Sequence, residues 1–128
     1  MDTRTGACRC RAIKFNVIGT PLRAGLCHCH DCRRETGSVF ATFGVWPRSA
    51  FACEGSYATY EGRSFCPTCG SRLFAITNEE AEIKLGILDD APFDVRPSYE
   101  LWTKRRQTWL QPLEGCEQYD EDRKQHEP

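Results

Sequence analysis

Seven of the nine cysteines fall into three tight groups: Cys8-Arg9-Cys10, Cys27-His28-Cys29-His30-Asp31-Cys32 and Cys66-Pro67-Thr68-Cys69. Thiols this close together bind soft metal ions, exchange as disulfides, or simply pack. The first and third groups add up to four thiols, which close a tetrahedral zinc site, and the middle group has three, which leave one position for water or a substrate. The counts point to one structural zinc and one catalytic zinc.

Cys66-Pro67-Thr68-Cys69-Gly70 reads as a zinc knuckle, a turn that aims two sulfurs at one ion, with the glycine supplying a positive φ. Cys8 and Cys10, two apart, leave the same face of an extended strand and can meet that knuckle. A site of four thiols is closed to chemistry and serves folding.

Cys27, Cys29 and Cys32 form the reactive group. Three thiolates on Zn²⁺ leave a charge of about −1, a poor generator of hydroxide but a good acceptor of a soft fourth ligand. Coordination ionises a thiol and holds it as a nucleophile, so the chemistry is activation of a small thiol such as glutathione. Other readings stay open: His28, His30, Cys53 or Cys116 could close the site, or the group could hold no metal. His28 alternates with the cysteines and points to the opposite face; Cys53 and Cys116 read as isolated thiols. Arg33 and Arg34, directly after the group, could offset its negative charge or bind a substrate carboxylate.

The elements that must position these thiols are mostly strands. Apolar–polar alternation predicts strands over Ile13–Val17 and Tyr99–Lys104. Further short strands are predicted over residues 22–26, 51–54, 57–61, 71–76 and 82–88, with a central strand from Val39 to Trp46, halted by Pro47. His30–Thr36 reads as a short helix ended by Gly37. The expectation is a mainly β domain over residues 1–116 with a polar, frayed tail over 117–128.

The 128 residues suffice for one domain, and the 40% hydrophobic content gives a modest core that a metal staple would help. With 17 basic and 18 acidic residues, a net charge of −1 gives no global pull toward nucleic acid. No apolar run of about 18 residues predicts a membrane span, and the N-terminus lacks the apolar stretch of a secretory signal. A cytoplasmic, reducing location is expected, where clustered cysteines bind metal or catalyse. Trp46, Trp102 and Trp109 could build a partner surface, although two of them suit the core. A homo-oligomer is compatible with the sequence.

The order Gly6-Ala7-Cys8-Arg9-Cys10, then residues 27–37, then Phe65-Cys66-Pro67-Thr68-Cys69-Gly70-Ser71 resembles the glutathione-dependent formaldehyde-activating enzyme family, whose superfamily includes centromere protein V. The likeness covers roughly residues 5–113 and extends to the late basic stretch Lys104-Arg105-Arg106 followed by Trp109. The resemblance implies a zinc-stapled β-tent of small antiparallel sheets. It implies Cys8, Cys10, Cys66 and Cys69 as structural-zinc ligands and Cys27, Cys29 and Cys32 as catalytic-zinc ligands. The implied activity is that of a carbon–sulfur lyase joining glutathione and formaldehyde as S-(hydroxymethyl)glutathione. The sequence departs from the family in having no histidine near Tyr99-Glu100-Leu101. A non-enzymatic zinc module that binds a partner on the same fold is the alternative.

Overall fold

The computed structural model describes residues 2–123. Eleven strands and one α-helix follow one another in this order: β1 (Thr3–Ala7), β2 (Lys14–Ile18), β3 (Arg23–Cys27), α1 (His30–Thr36), β4 (Ala41–Pro47), β5 (Phe51–Glu54), β6 (Ala58–Tyr60), β7 (Arg63–Phe65), β8 (Arg72–Ile76), β9 (Glu80–Lys84), β10 (Tyr99–Leu101) and β11 (Glu117–Gln118). They form a three-stranded sheet, β1-β2-β5, and an eight-stranded sheet, β11-β10-β3-β4-β9-β8-β7-β6. The mainly β architecture of short sheets with one short helix after the middle cysteines is as the sequence predicts.

Alternation builds the core. Phe15 and Val17 of β2 and Phe51 of β5 face inward from the small sheet, meeting Trp46, Leu73, Phe74 and Ile83 from the large one. Phe74 stands edge-on to Phe15, Phe51 and Tyr57, with ring centroids 6.1, 5.0 and 5.0 Å away, the arrangement that ring quadrupoles favour. Trp46 is wholly buried, and its indole N–H donates to the Gly19 carbonyl at 2.9 Å. β4 is central, paired with β3 on one side and β9 on the other.

Two predicted strands end well short, and β1 and β7 lie outside the predicted ones. The run over 82–88 is strand only to Lys84; Leu85–Ile87 coils into a 3₁₀ turn whose Leu85 is buried. The last predicted strand stops at Leu101, because Trp102 takes a left-handed conformation (φ 56°, ψ 44°) that no ladder can continue through. β1 was not visible at all, since Thr3–Ala7 carries no apolar alternation and is held by its register on β2. Most pairings are antiparallel, but β10 runs parallel to both β3 and β11. Residues 117–123, read from sequence as tail, carry β11 and bond back: Tyr119 N–H donates to Glu100 O, and Thr103 N–H to Tyr119 O. The last five residues of the predicted tail, 124–128, lie outside the described residues. No helix among the described residues is long and apolar enough to cross a membrane.

Candidate metal centres

The four-thiol group sits where the two sheets meet. Cys8 and Cys10 lie in the turn between β1 and β2, and Cys66 and Cys69 in the turn between β7 and β8. The two loops are built alike: Cys8 N–H donates to Ile13 O and Cys66 N–H to Ser71 O, both at 3.0 Å, closing each loop across five residues. Backbone N–H groups also point at sulfur, Ile13 at Cys8 Sγ (3.3 Å) and Cys69 at Cys66 Sγ (3.5 Å). Gly70 has φ +81°, the left-handed value expected at the knuckle. Cys8 and Cys10 are not on an extended strand as predicted: Arg11 N–H bonds back to Cys8 O and Arg11 has φ 67°, so a tight turn gathers the two sulfurs.

The sulfurs stand 3.6 Å apart for Cys8–Cys10 and 3.7 Å for Cys10–Cys66. Four sulfurs at zinc bond length from one centre would be about 3.8 Å apart, so this donor set fits a tetrahedral zinc. Sequence reasoning missed Ser71. Its hydroxyl accepts from Arg9 N–H (2.9 Å) and lies 3.2 Å from Cys69 Sγ, tying one loop to the other. That hydroxyl, first among its neighbours, holds the Cys69 thiol down to about 5. Cys8 is also lowered: burial opposes this, and the Ile13 N–H and neighbouring sulfurs outweigh it.

In the middle group, Cys27 ends β3, Cys29 caps α1 with its sulfur accepting from Cys32 N–H (3.3 Å), and Cys32 lies in the first turn. Gly37 ends the helix in a left-handed conformation, as predicted. The three sulfurs lie within 4.8 Å of one another, and among the described residues no fourth ligand joins them. The candidates for closing the site are elsewhere. His30 is exposed and its Nδ1 accepts from Arg33. Cys53 is exposed on β5, and Cys116 Sγ lies 3.2 Å from Pro97 O. Burial raises the Cys29 thiol, and the Cys27 sulfur together with burial pushes Cys32 far up, against the opposing charge of Lys84. Three such thiols can take a soft divalent ion only by releasing protons.

His28 does not join the three sulfurs as a donor and is wholly buried. Its Nε2 is 2.8 Å from Glu100 Oε1. Glu100, only 1% exposed, also accepts from Leu113 N–H (2.7 Å), Gln118 Nε2 (3.1 Å) and Arg106 Nη2 (3.1 Å). Burial alone would raise this carboxyl, but these donors, His28 foremost, hold it down at about 2. The network anchors the cysteine loop to β10 and to the segment that follows it.

These features agree with a family match over residues 3–105. The chain belongs to the glutathione-dependent formaldehyde-activating enzyme family. A crystal structure of a Rhodobacter sphaeroides protein is similar in fold, with a TM-score of 0.53 and 24% identity over 73% of this chain and 91% of that one. No match was found among curated proteins. Family membership and the two thiol groups together support a formaldehyde-activating role in the broad sense and bound metal ions.

Proposed function

We propose that the protein is a cytoplasmic zinc-dependent carbon–sulfur lyase that joins a glutathione-like thiol to a small aldehyde. Cys8, Cys10, Cys66 and Cys69 hold a structural zinc, and Cys27, Cys29 and Cys32 hold the catalytic one. The observation that carries the reading is the three-thiol group with no fourth ligand within reach among the described residues. When bound there, zinc would keep an incoming thiol ionised at neutral pH. The chain's own part is to orient that thiol. The α1 turn and the buried His28–Glu100 pair fix the three sulfurs, and Arg33 and Arg34 on α1 offer guanidinium groups to a substrate carboxylate. Cys27 is buried, and Cys29 and Cys32 are partly covered where they pack, like Leu101 and Trp102, against the cluster around it.

The test is Cys32→Ala, assayed by exchange NMR between free thiol and its aldehyde adduct, which reads catalysis even where the uncatalysed addition is fast. Exchange should fall to the uncatalysed rate while the four-thiol site keeps its zinc. Undiminished exchange in that variant rejects the mechanism. One observation favours the partner-binding alternative: Trp109 is 68% exposed, whereas Trp46 is core and Trp102 is partly covered. If wild type accelerates nothing, that reading takes over.

A further inference from the structure

An open cleft of about 390 Å³ is lined among others by Thr36, Ala41, Ser71, Arg72, Lys84 and Gly86. Each wall has an address. Thr36 is one helical turn beyond Cys32 and donates to its carbonyl at 2.7 Å. Ala41 is the register partner of Cys27. Ser71 is the residue 3.2 Å from Cys69 Sγ. No cysteine lines the cleft itself, but its lining thus includes neighbours of both thiol groups.

Lys84 is a buried cation, its side chain 8% exposed. An ammonium has three N–H donors. Glu35 Oε1 at 3.0 Å and Glu82 Oε2 at 3.4 Å take two of them, and no third partner is seen among the described residues. Glu35 is three residues after Cys32, on the adjoining face of α1. Arg63 and Arg72 approach the same Glu35 oxygen at 2.6 and 3.5 Å, so its carboxylate is fixed from three sides and in turn fixes Lys84. Lys84 shares Glu35 with Arg63 and with Arg72, which also lines the cleft. Lys84 is thus held in place with one donor left for a small acceptor such as a carbonyl oxygen.

We infer that this cleft binds the carbonyl substrate and that Lys84 is a catalytic residue, donating its free N–H to the carbonyl oxygen. The inference rests on the lyase reading above and adds the group that receives the developing negative charge. In the forward step the thiolate sulfur bonds to the carbonyl carbon, and the carbon–oxygen π pair moves onto oxygen. That oxygen, a stronger base than an amine, takes a proton from Lys84 Nζ. Water returns to Lys84 the proton that the thiol lost on ionising. The sum is thiol plus aldehyde giving hemithioacetal, with no oxidant or reductant; the reverse runs through the same groups.

The test uses cobalt-loaded and zinc-loaded full-length protein with glutathione and formaldehyde. Cobalt absorption reads thiol binding and exchange NMR reads turnover. Lys84→Met should leave the cobalt spectral change on adding glutathione intact and slow exchange about 100-fold, the usual size of a lost proton donor. Lys84→Arg should recover at least part of that loss. Because removing one charge leaves Glu35 less well matched, Lys84→Met/Glu35→Gln is made alongside. If the double variant regains wild-type exchange, Lys84 is structural and the inference is wrong. Gly86→Leu is independent: Gly86 lines the cleft and a Cβ there meets nothing within 4 Å, so the backbone admits a side chain at the cleft wall. It should raise KM for formaldehyde at least tenfold with thiol binding unchanged; an unaltered KM overturns the cleft assignment. If glutathione leaves the wild-type cobalt spectrum unchanged, the lyase reading fails and this inference fails with it. If glutathione binds and Lys84→Met exchanges normally, only this inference fails.

Discussion

At the scale of the residue, the four-thiol group shares its charge unevenly: Cys69 is held down to about 5 and Cys8 is lowered, while the neighbouring sulfurs push Cys10 up to about 11. In the three-thiol group Cys29 and Cys32 are both raised. A metal must displace protons from thiols, and three ligands hold it against that competition less well than four. On acidification the three-thiol site should therefore release its metal at a higher pH than the four-thiol site. Two separated steps in a zinc-release titration are expected; a single step, or release from the four-thiol site first, contradicts the assignment. Ser71→Ala removes the hydroxyl between the two loops while leaving all four sulfurs. Zinc content should be unchanged and stability should fall by about 1–2 kcal/mol in denaturant unfolding. Glu100 gives a prediction with a sign. Its folded value, about 2, lies below the ordinary 4.5, so its ionised form stabilises the fold above the ordinary value. That contribution, roughly 3 kcal/mol, fades as pH falls from 4.5 toward 2. Glu100→Gln should be less stable than wild type at pH 7, and the gap should narrow through that window; a gap independent of pH would show that the carboxylate is not held by charge.

At the scale of the element, the two cysteine-bearing turns and the helix start carry the site. Gly70 shows the backbone demand most simply. Its φ is +81° and a Cβ would meet nothing within 4 Å, so Gly70→Ala meets a dihedral penalty and no clash. A loss of about 1 kcal/mol with zinc retained is expected from chemical denaturation. A larger loss, or loss of metal, would mean the turn cannot adapt. These local elements are the part the sequence displays. The knuckle, the Cys27–Cys32 strand-to-helix turn and the Gly37 cap each depend on neighbours within a few positions, and each was legible. What was not legible is long-range. Ser71 bonds Arg9, 62 positions away, and His28 finds Glu100, 72 away, through a parallel β3–β10 pairing that no alternation announces. Lys84 looked like one more polar position in a strand; only the pairing of β9 with β4 brings it beside Glu35 and the cleft. The end of β10 was misjudged because nothing in the sequence around Trp102 marks a left-handed residue.

At the scale of the whole molecule, the four-thiol group joins the three-stranded sheet to the eight-stranded one, the β1–β2 turn to the β7–β8 turn. A metal there binds the folded chain and not the unfolded one, so its binding energy is folding energy. Stripping zinc with a strong chelator should lower the melting temperature by roughly 10–20 °C. Cys66→Ala should do the same and Cys32→Ala should not. Equal effects from the two substitutions would deny the division into a structural and a reactive centre. That division is the central claim, and zinc per chain, measured by elemental analysis before and after dialysis against millimolar glutathione, tests it most directly. The proposed function predicts two zinc ions per chain, one of them removed or weakened by glutathione and the other untouched. One zinc per chain, unaffected by glutathione, would mean that only the four-thiol staple is filled and that no open thiol-binding centre exists.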